Sequence, residues 1–321
     1  MKFKLFVIFS ILFTINSNSR DVILKDSLAV KIDSISHWTK KNNVNLLFTQ
    51  NSFVNWSAGG NNSISGILKV YLQRNYKNKH TVWSNELKGS YGLNKEEDRE
   101  LRKTEDRFEI NSTFGYRNNI KSNWYYSAKF NFKTQFSNGY KYPNTDKPIS
   151  KLFAPAYVFL GIGSEYSSKS HKLKFYLSPL TNKTTFVFSR ELSNEGAFGV
   201  NPAEYDEEGN LLKDGQKMKM EFGTLVTGEW KTNVMDNIKM ANKLILYSDY
   251  LHNYGNVDVN WEINFDLTIN KYVTANVGSH LIFDDDILHK EDINNDGNLD
   301  ILGPKIQIKQ LLGIGFSYNF L

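Results

Sequence analysis

The residues best suited to metal chemistry lie near the C-terminal end of the chain. Four oxygen-bearing side chains have the spacing of ligands in a calcium-binding loop: Asp292, Asn294, Asp296 and Asp300. Gly297 stands at the bend of that loop, but its twelfth position is Gly303 rather than the bidentate glutamate of an EF-hand. Three aspartates at 284–286 are close enough to supply a missing carboxylate. The pattern predicts a structural Ca²⁺ that pins a loop, with a solvated acidic loop as the alternative.

A second set of charged residues falls on the polar faces of extended segments, where a closed sheet would turn them inward. The set comprises Glu86, Glu109, Lys129, Lys133, Lys172, Lys174, Asp258, Glu262, Asp266, Lys305 and Lys309. Two interpretations fit both signs of charge on one surface. The side chains form a packed polar network that fills a narrow lumen, or they line a small-solute pore with a charge-separated constriction.

Catalytic chemistry has less support in the sequence. The chain has six His and no Cys, so thiolate catalysis, disulfides and cysteine metal sites are excluded. A lipase-type site needs a His beside a nucleophilic Ser. His280 follows Ser279, but neighbours in a strand point to opposite faces, and no G-x-S-x-G motif is present. We expect no enzymatic activity and no cofactor other than the Ca²⁺.

The elements that would position these residues begin after an export signal. Lys2 and Lys4 precede an apolar core of eleven residues, 5–15, which is too short to span a membrane. We therefore expect residues 1–19 to be a signal peptide, 20–42 a periplasmic N-terminal segment and 43–321 one β-domain. The formal net charge of +5 includes those two lysines, so nucleic acid is not an expected partner.

Twelve extended segments follow, and most alternate apolar and polar residues with the period of a strand. They cover residues 43–55, 63–76, 80–93, 106–117, 123–136, 156–166, 171–191, 217–232, 238–252, 256–270, 271–283 and 305–320. The alternation is clearest in 123–136 and 256–270, where apolar and aromatic residues fall on one side. Pro179 lies inside the seventh segment, where we expect a bulge or kink.

Strand length and loop length together indicate a membrane barrel. The segments run about 11–15 residues, the length of tilted membrane strands, whereas strands of a soluble sandwich typically have about 5–6. Short turns near 77, 120, 169, 235 and 270 would face the periplasm, and loops at 94–105, 137–155, 193–216 and 284–304 would face outward. The sequence predicts an all-β fold, a single antiparallel transmembrane β-barrel of 12 strands, with 10 or 14 as alternatives.

The last strand also predicts how the barrel closes. Phe316, Tyr318 and Phe320 alternate with polar residues, as in an aromatic girdle, and should lie at the periplasmic rim. Such an ending also looks like the signal that barrel-assembly machinery reads. We expect strand 305–320 to pair with both 271–283 and 43–55.

Several stretches together resemble an uncharacterised barrel family of Bacteroidota, domain of unknown function 3078. They are Asn55-Trp-Ser-Ala-Gly-Gly60 with Ser63, Thr104-Glu-Asp-Arg107, Gln135-Phe-Ser-Asn-Gly-Tyr140, Ala197-Phe-Gly-Val200, Asp258-Val-Asn-Trp-Glu262, Gly303-Pro304 and Leu312-Gly-Ile-Gly315. The resemblance spans roughly residues 38–321 and rests on the order and spacing of the motifs. It implies an outer-membrane location and no particular activity.

The leading functional expectation is a porin-like channel for small polar solutes in the bacterial outer membrane. The alternative is a non-conducting structural or accessory subunit of an outer-membrane complex, and an outer-membrane hydrolase is a second alternative. The expected partners are outer-membrane lipid, the barrel-assembly machinery and, for the accessory subunit, another protein of the complex.

Overall fold

The computed structural model describes residues 36–52, 61–170, 172–251, 254–291 and 300–320. Twelve long strands in this part of the chain form one closed barrel. They are β1 (Trp38–Asn51), β2 (Ser63–Lys77), β3 (Thr81–Glu96), β4 (Arg102–Tyr116), β5 (Trp124–Thr134), β6 (Ala156–Ser167), β7 (Leu173–Phe186), β8 (Met218–Met235), β9 (Ile238–Asp249), β10 (Asp258–Thr268), β11 (Val273–Phe283) and β12 (Gln307–Phe320).

Each strand pairs antiparallel with its neighbours in sequence, and β1 pairs with β12 to close the barrel. The closing register runs from Asn42 opposite Phe320 to Phe48 opposite Ile314. The predicted closure between the first and last strands is confirmed, as are the fold class and the strand number of twelve. Closure leaves no barrel strand with an unpaired edge, which a sheet in lipid requires.

Alternating sequence decides which side chains face the interior. In β5, Trp124 and Tyr126 are 51% and 68% exposed, whereas Tyr125 between them is 5% exposed. The outward-facing residues of β12 are similarly exposed: Leu312 is 74% exposed and Tyr318 is 63% exposed. The outer surface is therefore apolar and aromatic, and the polar side chains point into the lumen.

The two ends of the barrel differ in their connections. One end has the short turns 78–80, 117–123, 168–172, 236–237 and 269–272, all close to the predicted positions, and also carries Trp38 and Phe320. The other end has the longer connections, including 135–155, 187–217 and 284–306. We call these the short-turn end and the long-loop end. Among the described residues, no helix is both long and apolar enough to cross a membrane.

The connections at the long-loop end have structure of their own. Small hairpins form between Gly139–Tyr140 and Pro148–Ser150, between Glu204–Tyr205 and Leu211–Lys213, and between Leu288–Glu291 and Asp300–Pro304. A short helix, α1 (Arg190–Asn194), begins where the Ser189 side chain accepts a hydrogen bond from the backbone N–H of Leu192. Leu192 packs with Ala154, Val187 and Val200 in a buried apolar cluster. This cluster fixes the loop 187–217 over the end of the barrel.

Several strand limits differ from the sequence-based prediction. β1 begins at Trp38 rather than at residue 43, because polar residues 39–43 pair with β2 without an apolar alternation that would reveal a strand. β3 and β4 extend into the predicted loop 94–105, leaving only residues 97–101 unpaired. β7 ends at Phe186, and residues 187–191 enter the long loop.

The predicted irregularity at Pro179 is present in β7. The pairing of β7 with β6 shifts register between Ile162 and Ser164, and its pairing with β8 shifts between Gly223 and Leu225. Pro179 and Leu180 are both exposed, so two successive residues face outward. The bulge changes which residue parity points into the lumen.

Candidate site in the barrel lumen

A cavity of ≈ 340 Å³ occupies the barrel interior. Ser84 on β3 and Thr113 on β4 line it near the short-turn end, and Phe198 and Ile287 line it under the long-loop end. The cavity therefore extends along most of the barrel axis. Its volume is at the lower end of the range of about 300–1,000 Å³ that holds small molecules in proteins.

Charged side chains of opposite sign stand opposite one another on adjacent strands around this cavity. From β7 to β10 the register places Lys174 opposite Glu229, Glu229 opposite Lys243, and Lys243 opposite Glu262. On β3 to β5, Lys88 stands opposite Glu109, and Glu109 opposite Lys133. We call these two series the charge ladders. Directly opposite pairs of unlike charge stabilise a sheet by about 0.2–1 kcal/mol each.

One ion pair crosses the lumen. The Arg107 guanidinium on β4 contacts Glu109 on its own strand, and its Nη2 lies 3.2 Å from Glu262 Oε1 on β10. β4 and β10 are six strands apart in a ring of twelve, so the pair spans the barrel. Lys309 on β12 similarly contacts Glu105 on β4. The Arg107–Glu262 bridge narrows the lumen and ties opposite walls together.

A second charged group lies nearer the long-loop end, around Lys183. Its Nζ lies 2.7 Å from Asp258 Oδ2, 3.4 Å from Asp284 Oδ2 and 3.5 Å from Glu221 Oε1. The Lys183 side chain is only 5% exposed. A buried ammonium needs such partners, because an unpaired charge there would be strongly destabilising.

Part of the lumen wall is apolar and aromatic. Tyr176, Leu225 and Tyr247 form a buried cluster on β7 to β9, and Phe159 and Ile245 pack against it. Four of these residues line the same cavity as the charge ladders: Phe159, Leu225, Ile245 and Tyr247. The cavity wall is thus polar on most strands and apolar on one side.

Most of the predicted lumen residues lie on the wall of this cavity. Seven line it directly: Glu86, Glu109, Lys129, Lys133, Lys174, Asp258 and Glu262. Their ion pairs include Lys129 Nζ to Glu165 Oε2 at 2.9 Å and Lys88 Nζ to Glu86 Oε2 at 3.2 Å. Two more lie inside the barrel outside that cavity. Lys309 contacts Glu105, and Asp266 Oδ1 accepts a hydrogen bond from Asn276 Nδ2 at 2.5 Å.

Lys172 and Lys305 do not line this cavity. Lys172 lies in the turn before β7, and Lys305 lies two residues before β12. The strands begin later than the alternation suggested, so neither residue belongs to a paired strand. Lysines and carboxylates occupy adjacent strands, so the two signs of charge alternate around this part of the wall.

The predicted calcium loop lies mostly outside the described residues. Asp292, Asn294 and Asp296 fall in the segment that the structure does not describe, and Asp300 begins the short strand Asp300–Pro304.

The His280 ring, which points into the lumen, has Nε2 3.0 Å from Asn260 Oδ1 and 3.7 Å from Glu262 Oε1.

Several lumen residues were not found from the sequence. Arg107 has the same parity as Glu109, which should have identified it, but its partner Glu262 is 155 residues away. Lys183 has the opposite parity to Lys174 on the same strand, and only the bulge at Pro179 brings both inward. Glu229 on β8 and Lys243 on β9 complete the first charge ladder and were not among the predicted residues.

Residues 48–140 match the family described as "Protein of unknown function (DUF3078)". The match covers β2, β3, β4 and β5 and part of β1. It includes in full three of the motifs that carry the resemblance: Asn55–Gly60 with Ser63, Thr104–Arg107 and Gln135–Tyr140. No curated protein matches the chain.

Solved structures similar to this chain include outer-membrane barrels. The COG4313 outer membrane channel from Pseudomonas putida F1 is 9% identical, with a TM-score of 0.38 over 88% of this chain and 95% of that one. The NanC porin is 9% identical, with a TM-score of 0.35 over 86% and 98%. The translocator domain of the autotransporter NalP from Neisseria meningitidis is 9% identical, with a TM-score of 0.31 over 87% of both chains.

Proposed function

We propose that the protein is an outer-membrane β-barrel that admits small polar solutes through a narrow lumen. The observation that carries this proposal is the cavity of ≈ 340 Å³, whose lining extends from Ser84 near one end of the barrel to Phe198 near the other. A barrel of eight strands is filled by its side chains and one of sixteen encloses a water channel. A barrel of twelve strands with such a cavity is suited to small solutes.

The outer surface supports the membrane location. Large apolar side chains on the outer surface are well exposed; Ile162, for example, is 64% exposed and Ile308 is 66% exposed. A contiguous apolar surface of this kind marks contact with lipid or protein, and the closed sheet satisfies its own backbone in lipid. Lipid would be the partner along the strands. The exposed Phe316 and Tyr318 on β12 suit recognition by barrel-assembly machinery.

The wall of the lumen suggests the class of solute. Cations and carboxylates alternate on the charge ladders, so the part of the lumen that the ladders line favours neither sign of charge. The same cavity has a largely apolar surface formed by Leu225, Ile245 and Tyr247. We infer that neutral or zwitterionic solutes of about monosaccharide or amino-acid size fit this lumen.

Solute uptake into proteoliposomes tests the proposal. Vesicles containing the full-length protein are placed in isotonic solutions of glycine, glucose and raffinose, and swelling is followed by light scattering. We expect swelling in glycine, slower swelling in glucose and none in raffinose. Swelling no faster than in protein-free vesicles for all three solutes would contradict the proposal.

The network of ion pairs across the lumen favours one second candidate, a non-conducting accessory barrel. Arg107 with Glu262 and Lys309 with Glu105 both join separate parts of the wall, as in a lumen filled for stability. Purification from native membranes under mild detergent separates the two candidates. A stoichiometric protein partner together with absent swelling would support the accessory barrel, and a lone barrel that swells vesicles would support the channel.

A further inference from the structure

An acidic cluster occupies the long-loop end of the lumen. Its six carboxylates come from three strands and the start of the last long loop, and they are Glu221, Asp249, Asp258, Asp284, Asp285 and Asp286. Two ammonium groups face them. Lys183 contacts Glu221, Asp258 and Asp284 as described above, and Lys219 Nζ lies 2.6 Å from Asp286 Oδ2. The cluster therefore retains an excess of negative charge.

Three of the carboxylates converge on one point. Oxygen atoms of Asp258, Asp284 and Asp285 all lie within 4.8 Å of one another. Ca²⁺ binds oxygen at about 2.3–2.6 Å, so two of its ligands can stand up to about 5 Å apart. The three side chains are half-buried, which limits competition from bulk water and from screening salt.

A small cavity adjoins these carboxylates. Its volume is ≈ 10 Å³, and its lining includes Asp258, Asp285, Tyr247 and Asn256. A space of about 10–15 Å³ holds one water-sized sphere. The Asn256 side chain donates from Nδ2 to Asp285 Oδ2 at 2.7 Å, which leaves its carbonyl oxygen for a ligand. The cavity has room for a single ion among oxygen atoms.

The Tyr247 hydroxyl is an independent indication that something binds here. Tyr247 is 3% exposed, and its hydroxyl has no hydrogen-bond partner among the described residues. The residue lines the small cavity, and its charged neighbours are the three carboxylates Glu221, Asp249 and Asp258 and the Lys183 ammonium, which lies 5.2 Å from the centre of its ring. A buried hydroxyl without a partner is unfavourable and is rare in folded proteins. A bound ion or a water molecule of its hydration shell would satisfy it.

We propose that Asp258, Asp284 and Asp285 bind Ca²⁺ at the long-loop end of the lumen. The carboxylates are the hard, anionic oxygen ligands that this ion prefers, and Asn256 and Tyr247 supply neutral oxygens beside them. The ion joins the first residue of β10 to the loop that follows β11. All the residues of this site lie outside the sequence segment 292–299, and the proposal does not depend on whether the lumen conducts.

Calorimetry on the full-length protein in detergent, stripped with a chelator and titrated with CaCl₂, tests the site. Asp258→Asn and Asp285→Asn should each weaken Ca²⁺ binding by about tenfold or more. Asp214→Asn is the matched control. That carboxylate also lies in a long loop, and a hydrogen bond from Arg190 lowers its pKa and keeps it ionised, so its removal should leave the affinity unchanged.

A variant that is expected to bind Ca²⁺ more tightly provides a test that misfolding cannot mimic. Lys183 occupies two of the three carboxylates, so Lys183→Met should tighten Ca²⁺ binding by about tenfold. No Ca²⁺ binding by the wild-type protein would overturn the proposal. Binding that survives both Asp258→Asn and Asp285→Asn but is lost in Asp296→Asn would also overturn it, because the ion would then lie in the segment 292–299.

Discussion

At the scale of the residue, Lys243 shows how a single side chain sets the charge of the cavity wall. Lys243 stands between Glu229 on β8 and Glu262 on β10, directly opposite both. It supplies the positive charge that balances two carboxylates on the cavity wall. Replacing Lys243 with a neutral residue changes the local charge on the cavity wall and leaves the outer surface of the barrel unchanged.

We expect Lys243→Met to make the lumen cation-selective. The two carboxylates lose their shared counter-charge, so the cation-to-anion permeability ratio should rise by about two- to fivefold. Reversal potentials across a bilayer in a gradient of potassium chloride measure it. Lys213→Met is the control, because Lys213 lies in an exposed loop hairpin with its Nζ 2.8 Å from Glu204 Oε1. Equal reversal potentials in both variants would show that the ladder does not set selectivity.

At the scale of the element, the bulge in β7 decides which residues reach the lumen. Gly163 on β6 faces it, and a Cβ there would meet the Leu177 carbonyl oxygen at 2.0 Å. No side chain larger than hydrogen fits without moving the backbone of β7. The same backbone places Lys183 inside the barrel.

Gly163→Ala should therefore destabilise the barrel. We expect the free energy of unfolding to fall by about 1–3 kcal/mol, the usual effect of overpacking. Urea unfolding in vesicles, followed by tryptophan fluorescence, measures the change. Gly228→Ala on β8 is the control, because a Cβ at Gly228 meets nothing within 4 Å. Equal free energies of unfolding for the two variants would show that the close contact between Gly163 and β7 does not contribute to stability.

Sequence alone predicts the elements that alternate regularly. β5 and β10 are regular, and the residues that their alternation places on the inner face, Lys129, Lys133 and Glu262, line the cavity. β1 was placed five residues late, because Thr39, Lys40 and Lys41 carry no apolar alternation. Lys183 was not predicted because the bulge at Pro179 switches the inward-facing residues of β7 from even-numbered to odd-numbered positions. The alternation of a strand does not show where such a bulge shifts its pairing with its neighbours.

The contacts across the lumen were beyond prediction for a different reason. Arg107 and Glu262 meet only because the ring of strands closes and sets both residues at compatible heights. The alternation of a strand gives the face on which each residue lies. The position of a residue along the barrel axis depends instead on the register of every strand between Arg107 and Glu262. The acidic cluster around Asp258 and Asp284 has the same origin.

At the scale of the whole molecule, closure by β1 and β12 is the contact on which the barrel depends. Asn43 stands directly opposite Asn319, and its Nδ2 lies 3.1 Å from Asn319 Oδ1. Directly opposite residues of antiparallel strands have Cα atoms about 4.5–5.5 Å apart, within the range of a disulfide. The chain contains no Cys, so an introduced pair has no competitor.

Oxidation of the double variant Asn43→Cys with Asn319→Cys should therefore cross-link the ends of the folded barrel. A shift in mobility on a non-reducing gel that is reversed by a reductant measures the cross-link. The control pairs Asn43→Cys with Asn131→Cys on β5, which lies four strands away from β1, and it should not cross-link. Equal cross-linking of both pairs would contradict the closing register.

Single-channel recording in planar bilayers tests the central claim most directly, that the lumen is a pore narrowed by the Arg107–Glu262 bridge. The wild-type protein should give small, uniform conductance steps. Arg107→Ala and Glu262→Ala each remove one half of the bridge and should raise the step size by about twofold or more. Steps absent from the wild type and both variants, or equal in all three, would contradict the account.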